Sequence, residues 1–231
     1  MRPVELTREE DIPEAVSSLG LDVPRPVVVV VGGAAGLDAE DADLEALGAG
    51  IVRATERCGG VIVDGGTDSG VMRLVGRAAG GRVPLVGVVV RSLAGLPGVP
   101  LEGRQAPLEP HHTHFVLVPG SSWGEEAPWI SRLAGTIAGA KPSVTVLVNG
   151  GEIAWTDVAE SVAAGRPVLA VAGTGRTADA LVAALADGPQ DDRAARLVTS
   201  GLVLAVGSGS GLSDLVERRI ERFLMPEGTA A

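Results

Sequence analysis

The chain of 231 residues has a single cysteine, Cys58, so it cannot form an internal disulfide. A zinc site built from several cysteines is excluded for the same reason. Tyrosine is absent and only two phenylalanines and three tryptophans are present. The core must therefore consist mainly of Val, Leu, Ile and Ala. Val-rich segments of this kind are typical of parallel strands that are covered on both faces.

Positive charge is also scarce. The 19 basic residues are outnumbered by 29 acidic ones, which gives a net charge of −10, and Lys141 is the only lysine. Nucleic-acid binding needs a cluster of basic residues, so we expect no nucleic-acid partner. A small anionic ligand remains compatible with this composition, because backbone N–H groups at helix starts can bind phosphate inside an acidic protein.

No apolar run approaches the roughly 20 residues that a membrane-spanning helix needs. Met1 is followed by charged residues, without the basic and then apolar pattern of a signal sequence. We therefore expect a cytoplasmic protein that does not contact a membrane. We expect no cofactor.

Segments with the character of strands alternate with segments of helical periodicity along nearly the whole chain. This pattern predicts an α/β fold, a Rossmann-like doubly wound and mainly parallel sheet with helices on both faces. We expect a single domain over residues 1–231, with a core at about 26–224. The exception is a stretch rich in Pro and Gly at residues 91–112. A loop of that length is either a lid or binding loop, or an irregular insertion without a role.

Four glycine-rich turns follow predicted strands, and in a parallel sheet all of them lie at the same edge, where ligands of such sheets bind. Their residues are 32–36, 64–70, 149–151 and 173–177. Gly65 and Gly66 permit positive φ angles and close approach of the backbone to a ligand. Thr67, Asp68 or Ser69 can cap the next helix, and Asp64 can accept hydrogen bonds from a ribose. The alternative is an ordinary tight turn between strand and helix, which favours the same residues.

Arg176 stands where a helix is predicted to begin, and a cation is unfavourable there for the helix dipole. An anion held by both the helix start and the guanidinium would resolve this conflict. The alternative is an arginine that points to solvent.

Other polar residues give weaker indications. His112 and His114 lie two apart on a predicted strand, but no third metal ligand is recognisable, so we expect no metal. Glu125 and Glu126 precede a helix that contains Pro128. They either stabilise its start or bind a ligand rich in hydroxyl groups.

Four segments together resemble the SLOG superfamily, and in particular its LSDAT branch, the Rossmann-like domain of the N-terminal region of melastatin-type TRP channels. These segments are "VVVVVGGAAGL", "VIVDGGTDSGVMRLVGRA", "LEPHHTHFVLVPG" and "GRPVLAVAGTGRTADAL". The resemblance covers residues 26–186 and suggests a prokaryotic stand-alone form. It implies binding of ADP-ribose-like or other nucleotide-derived molecules. The site residues that it implies are Gly33, Gly65, Gly66, Thr67, Gly151, Gly173, Thr174, Gly175 and Arg176.

Another SLOG branch, the cytokinin-activating LOG enzymes, hydrolyses nucleoside monophosphates and carries a "PGGxGTxxE" turn. The corresponding stretch here, "NGGEIAWTDV", keeps Gly150 and Gly151 but lacks the Gly-Thr pair. Asp157 is the only acid near the position of the glutamate, and it is a catalytic candidate together with Glu152.

Three alternative functions are compatible with these observations. The first is a sensor or binding protein for a nucleotide-derived ligand, with Arg176 against the phosphates, the ribose near Asp64 or Glu152, and the base against Trp123 or Trp155. The second is a nucleotide N-glycoside hydrolase, so enzymatic activity stays open although binding alone is favoured. The third is an interaction module with a vestigial pocket, and a homo-oligomer is compatible with each.

Overall fold

A computed structural model describes residues 3–33, 37, 41–207, 209 and 211–225. Within these residues, strands and α-helices alternate along most of the chain. The strands are β1 (Val4–Glu5), β2 (Val27–Gly32), β3 (Val61–Asp64), β4 (Leu85–Val90), β5 (Ala94–Gly95), β6 (Ala106–Pro107), β7 (His114–Val118), β8 (Ser143–Val148), β9 (Val168–Val171) and β10 (Val203–Val206). The helices are α1 (Ile12–Ser18), α2 (Ala42–Arg57), α3 (Gly70–Ala79), α4 (Ala127–Ala138), α5 (Glu152–Ala163), α6 (Arg176–Asp187), α7 (Asp192–Thr199) and α8 (Leu212–Leu224).

Eight of these strands form one parallel sheet in the order β1-β7-β4-β3-β2-β8-β9-β10. From β2 the chain first adds strands on one side, through β3, β4 and β7. It then returns to the other side of β2 and adds β8, β9 and β10. The strand order therefore reverses between β2 and β8, and ligands bind at such a reversal in open α/β sheets. The predicted mainly parallel α/β sheet is confirmed.

Helices cover both faces of the sheet. The five valines of β2 are all buried, and their side chains alternate between the two faces. Val27, Val29 and Val31 pack on one face with residues of α1, α4, α5, α6 and α7. Val28 and Val30 pack on the other face with residues of α2, α3 and α8. Each of these five valines is at most 4% exposed. Burial of one such side chain contributes about 1.5–3 kcal/mol, so the central strands need both helical layers.

Two predicted details are corrected. The pattern placed His112 and His114 on one strand, but β7 begins at His114 and His112 precedes it. The periodicity also gave no helix at α7, which is only eight residues long.

The Pro- and Gly-rich segment at 91–112 is bonded near its C-terminal end to the turn that follows β3. It contains a short 3₁₀ helix (Arg91–Leu93) and the two-residue strands β5 and β6, which pair in parallel. Leu108 forms a β-bridge with Thr67, and the Glu109 N–H donates to the Gly66 carbonyl over 3.0 Å. These bonds join the segment to the turn between β3 and α3. Among the described residues, none of the helices is both long enough and apolar enough to span a membrane.

Candidate functional site

A cavity of about 510 Å³ lies at the carboxyl edge of the sheet, at the reversal between β2 and β8. Its wall combines the ends of β2 and β3, the starts of α3, α4 and α5, and the 91–112 segment. The lining residues used below are Gly33, Gly65, Thr67, Arg104, Trp123, Glu126, Ile130, Gly151, Glu152, Asp157 and Arg176. Of the turn at 32–36, residues 34–36 lie outside the described residues.

A glycine and an aspartate determine the conformation of the turn between β3 and α3, residues 64–69. Gly66 has φ of 64°, and a Cβ there would lie 2.8 Å from the Cα of Gly87, so only glycine fits. The Asp64 Oδ1 accepts from the Gly66 N–H over 2.7 Å. α3 begins after Ser69, whose side chain does not cap the N–H groups at the start of the helix, beside the cavity. Gly65 and Thr67 line the cavity, while Gly66 packs against the sheet.

Asp64 does not face the cavity, which corrects its predicted contact with a ribose. It is 0% exposed, and its Oδ1 lies 2.8 Å from the Nε2 of His112. The Nδ1 of His112 lies 2.8 Å from the Oε2 of Glu109, which is 1% exposed. The Oε1 of Glu109 lies 2.6 Å from the Nδ1 of His111. Buried Asp64, His112 and Glu109 thus form a charged network behind the turn.

His112 is the cation of this network. Burial disfavours the charged imidazolium, but Asp64 and Glu109 together outweigh burial and raise the pKa of His112 to about 9. Burial likewise opposes the ionised form of Glu109, yet the hydrogen bonds from His112 and His111 lower its pKa. His112 also stacks on Phe115 with ring centroids 5.3 Å apart. At neutral pH the imidazolium therefore bridges two carboxylates.

The turns after β8 and β9 are joined by uncharged groups instead. The Asn149 N–H donates to the Thr174 Oγ1 over 2.8 Å, and the Asn149 Nδ2 donates to the Thr174 carbonyl over 2.7 Å. The Thr177 hydroxyl donates to the Gly151 carbonyl over 2.9 Å. Asp179 accepts from the N–H groups of Gly173 and Gly175. Gly173, Thr174 and Gly175 therefore lie outside the cavity wall and fix the start of α6.

Arg176 is the first residue of α6 and has φ of 55°, a left-handed conformation that arginine rarely adopts. Its guanidinium lies against the start of α5, where a Cβ on Gly151 would be 2.9 Å from the Nη2. The glycine at position 151 therefore allows the guanidinium to reach the cavity. Strained backbone of this kind often occurs at functional sites.

Glu126 and Asp157 are two of the three carboxylates among the described residues that line the cavity, and Glu152 is the third. Glu126 directly precedes α4 and is 9% exposed, and its Oε2 accepts from the Gly124 N–H over 2.8 Å. Burial raises the pKa of Glu126. Asp157 lies in the second turn of α5, where burial and then the charges of Glu126 and Glu160 raise its pKa to about 7. Trp123 and Ile130 supply apolar surface beside them.

The tryptophans differ from the prediction in one case. Trp123 lines the cavity, but Trp155 lies in a separate groove between α5 and α7, where the Arg193 guanidinium stacks over its ring at 4.8 Å. The exposed residue Glu152 lines both the cavity and this groove and pairs with Arg193. Trp155 is therefore not placed to contact a base in the cavity.

Arg104 was not predicted as a site residue, although it lines the cavity from the 91–112 segment. Glu126 was considered only as one of several acids before a helix. The chain fold brings both to Asp157 and Arg176, and no local spacing in the sequence indicates this.

Two solved structures have a similar fold. TM1055, a structural genomics target, gives a TM-score of 0.58 at 21% identity, over 85% of this chain and 99% of that one. The molybdenum cofactor carrier protein of Chlamydomonas reinhardtii gives 0.53 at 17% identity, over 84% of this chain and 97% of that one. At such identities the likeness concerns the fold alone.

Curated relatives are channel proteins. The mouse transient receptor potential cation channel subfamily M member 2 is 26% identical over an alignment of 201 positions, gaps included, which covers 70% of this chain and 13% of the channel. Rat subfamily M member 4 is 29% identical over an alignment of 250 positions, gaps included, which covers 91% of this chain and 19% of the channel. The chain thus spans less than a fifth of either channel. The profile of the family described as "SLOG in TRPM, prokaryote" matches residues 25–217, and the chain therefore belongs to this family.

Proposed function

We propose that the cavity binds a nucleotide-derived ligand, either ADP-ribose-like or another signalling nucleotide, and that the protein acts as its sensor. The observation that carries this proposal is the meeting of α3, α5 and Arg176 at one cavity. Helix starts present free N–H groups and a positive dipole end, which favour a phosphate.

In this proposal the phosphates lie between the start of α5 and Arg176. The start of α3, with Gly65 and Thr67, contributes further N–H donors, and Gly33 allows close approach at the end of β2. Arg104 supplies a second cation from the 91–112 segment. The base packs against Trp123 and Ile130. Gly66, Gly173, Thr174 and Gly175 support these turns from outside the cavity.

A thermal-shift screen tests the proposal with ADP-ribose, NAD, ADP and AMP, because a ligand that binds only the folded state raises the melting temperature. Calorimetric titration with the best of them then compares wild type with Arg176→Ala. A charge-assisted hydrogen bond contributes about 1.5–3 kcal/mol, so we expect about ten- to a hundredfold weaker binding.

Arg82→Ala is the matched control. It removes an exposed arginine that pairs with Glu56 and does not line the cavity. We expect its affinity to equal that of wild type. Equal affinity of Arg176→Ala and wild type would remove Arg176 from the proposed site, and no stabilisation by any of the four nucleotides would contradict the proposed ligand class.

A second candidate is a nucleotide N-glycoside hydrolase, which the raised pKa of Asp157 favours. An acid with a pKa of about 7 in a cavity can donate a proton to a leaving group. However, Ile153 and Ala154 occupy the positions of the Gly-Thr pair of the LOG enzymes. We therefore expect no hydrolysis of AMP at an enzyme-like rate. Release of free adenine that Asp157→Asn abolishes would contradict this and favour the hydrolase, whereas loss only in Glu152→Gln would favour Glu152.

We further infer that one domain supplies the whole site and that binding takes place in the cytoplasm. Assembly into a homo-oligomer is part of the same proposal. Size-exclusion chromatography with light scattering, with and without the selected nucleotide, measures the oligomeric state.

A further inference from the structure

The charged side chains of the cavity are separated along α5. Arg176 lies against Gly151 at the start of this helix, and Asp157 lies six residues further along it. At a rise of 1.5 Å per residue, the two positions are about 9 Å apart along the axis. The other lining acid near the helix start, Glu152, is directed to Arg193. The cavity therefore has a cationic end and an acidic end.

The acidic end consists of Glu126 and Asp157, which line the cavity together with Trp123 and Ile130 and are close enough for the charge of Glu126 to raise the pKa of Asp157. One oxygen of Glu126 accepts from the Gly124 N–H. The carboxylate of Asp157 accepts no hydrogen bond from any residue that the structure describes, so it is available to a ligand. Two further acids lie next to the pair without lining the cavity, Glu125 in sequence and Glu160 one helical turn along α5.

We propose that Glu126 and Asp157 determine specificity: they accept a ligand whose end opposite the phosphate donates hydrogen bonds, and they exclude one that carries a carboxylate there. This inference rests on the proposed nucleotide binding and names the chemical class of the ligand's other end. A carboxamide, an amino group or a ring N–H meets this requirement.

The physical reason is the repulsion of like charges in a partly desolvated space. Among the described residues, the cations that line the cavity are Arg104 and Arg176, whereas Glu125, Glu126, Asp157 and Glu160 place negative charge around the acidic end. Burial, and then the charges of Glu126 and Glu160, already raise the pKa of Asp157 to about 7. A third carboxylate from the ligand would be repelled unless the pair took up a proton, whereas an N–H donor gains an acceptor that is otherwise unoccupied.

Two mononucleotides that share ribose and phosphate test this inference. Nicotinamide mononucleotide ends in a carboxamide and nicotinic acid mononucleotide ends in a carboxylate. By calorimetric titration at pH 7.5, we expect the carboxylate compound to bind wild type at least about tenfold more weakly. In Glu126→Gln/Asp157→Asn the ratio should fall to about twofold, through tighter binding of the carboxylate compound. In wild type at pH 5.5 the ratio should also fall, because Asp157 is then protonated.

Glu10→Gln/Glu56→Gln is the control, since it also removes two negative charges, but at exposed residues that do not line the cavity. It should keep the tenfold ratio. Equal binding of the two mononucleotides to wild type would overturn the inference and leave the proposed function standing. A ratio that the double variant and pH 5.5 both leave unchanged would also overturn it. No binding of either compound to a protein that a nucleotide of the thermal-shift screen stabilises would overturn the inference alone, and no stabilisation in that screen would contradict the proposed function.

Discussion

The turn after β3 and the turn after β9 have the same glycine-rich character in the sequence, but they are supported differently. The first rests on the buried ions Asp64, His112 and Glu109. The second is held by the amide of Asn149 and the hydroxyl of Thr174, in a half-buried setting. Both place a helix start at the cavity. The first turn therefore depends on the buried imidazolium of His112 and on its pKa, whereas the second depends on the neutral groups of Asn149 and Thr174 together with the carboxylate of Asp179.

The largest expected effect comes from removing the cation of the charged network. His112→Leu leaves the carboxylates of Asp64 and Glu109 buried next to each other without a counter-charge. The free energy of unfolding should fall by about 3–5 kcal/mol. Urea denaturation at pH 7 measures this. His111→Leu is the control, since His111 contacts the same Glu109 but is 45% exposed, and it should cost less than about 1 kcal/mol. If both variants lowered the free energy of unfolding by the same amount, the burial of the carboxylates without a counter-charge would not be what destabilises His112→Leu.

The pH dependence of stability is the next test of the difference between the turns. The folded state raises the pKa of His112 from 6.5 to about 9, so its contribution is fully present below pH 6.5. The contribution is lost as the pH rises through 9, since the folded state then loses the proton that it bound more tightly. The unfolding free energy should decline by roughly 2–3 kcal/mol from pH 6.5 to 9.5.

The variant His112→Gln should show a flatter profile over the same range, because glutamine cannot titrate. Equilibrium unfolding at several pH values compares the two proteins. Profiles of equal slope would mean that His112 is neutral in the folded state.

A substitution in the turn after β9 should lower the free energy of unfolding less than the loss of His112 does. The Thr174 hydroxyl accepts from the Asn149 N–H and donates to the Val171 carbonyl over 2.7 Å. Thr174→Val leaves both backbone groups without this partner, and we expect a cost of about 1–2 kcal/mol that does not vary between pH 6.5 and 9.5. Thr174→Ser retains the hydroxyl and should be within about 0.5 kcal/mol of wild type. A cost above 3 kcal/mol for Thr174→Val would remove the distinction between the turns.

The sequence predicted the two turns, but it did not predict that the first is supported by buried charges and the second mainly by neutral hydrogen bonds. Strand and helix alternation, together with the Val-rich runs, predicted the parallel sheet and the edge at which the turns lie. The pairing of Asp64 with His112 joins residues 48 positions apart, and charged residues are ordinarily expected at the surface. Local pattern therefore assigned Asp64 to a ligand.

Other features of the structure were not predicted from the sequence for similar reasons. α7 has the start signal Asp191, whose side chain accepts from the Ala194 N–H, but eight residues give too few repeats for a helical period to stand out. Arg104 lies in a segment without periodicity, so only the folded path of that segment places it at the cavity. Glu126 and Asp157 come together because α4 packs on α5, which no spacing within either helix predicts.

The smallest expected effect concerns the backbone of Arg176, and it separates the strain of this residue from its charge. Arg176→Gly and Arg176→Ala both remove the guanidinium with all of its contacts, but only glycine adopts a φ of 55° without strain. The glycine variant should therefore be more stable than the alanine variant by about 0.5–1 kcal/mol, despite the greater freedom of glycine in the unfolded chain. Urea denaturation of the two variants without nucleotide measures this difference. Because neither variant keeps the cation, their affinities for the selected nucleotide should agree within about threefold. Equal stability of the two would mean that the backbone at position 176 relaxes from the left-handed conformation, and α6 would then begin one residue later, at Thr177.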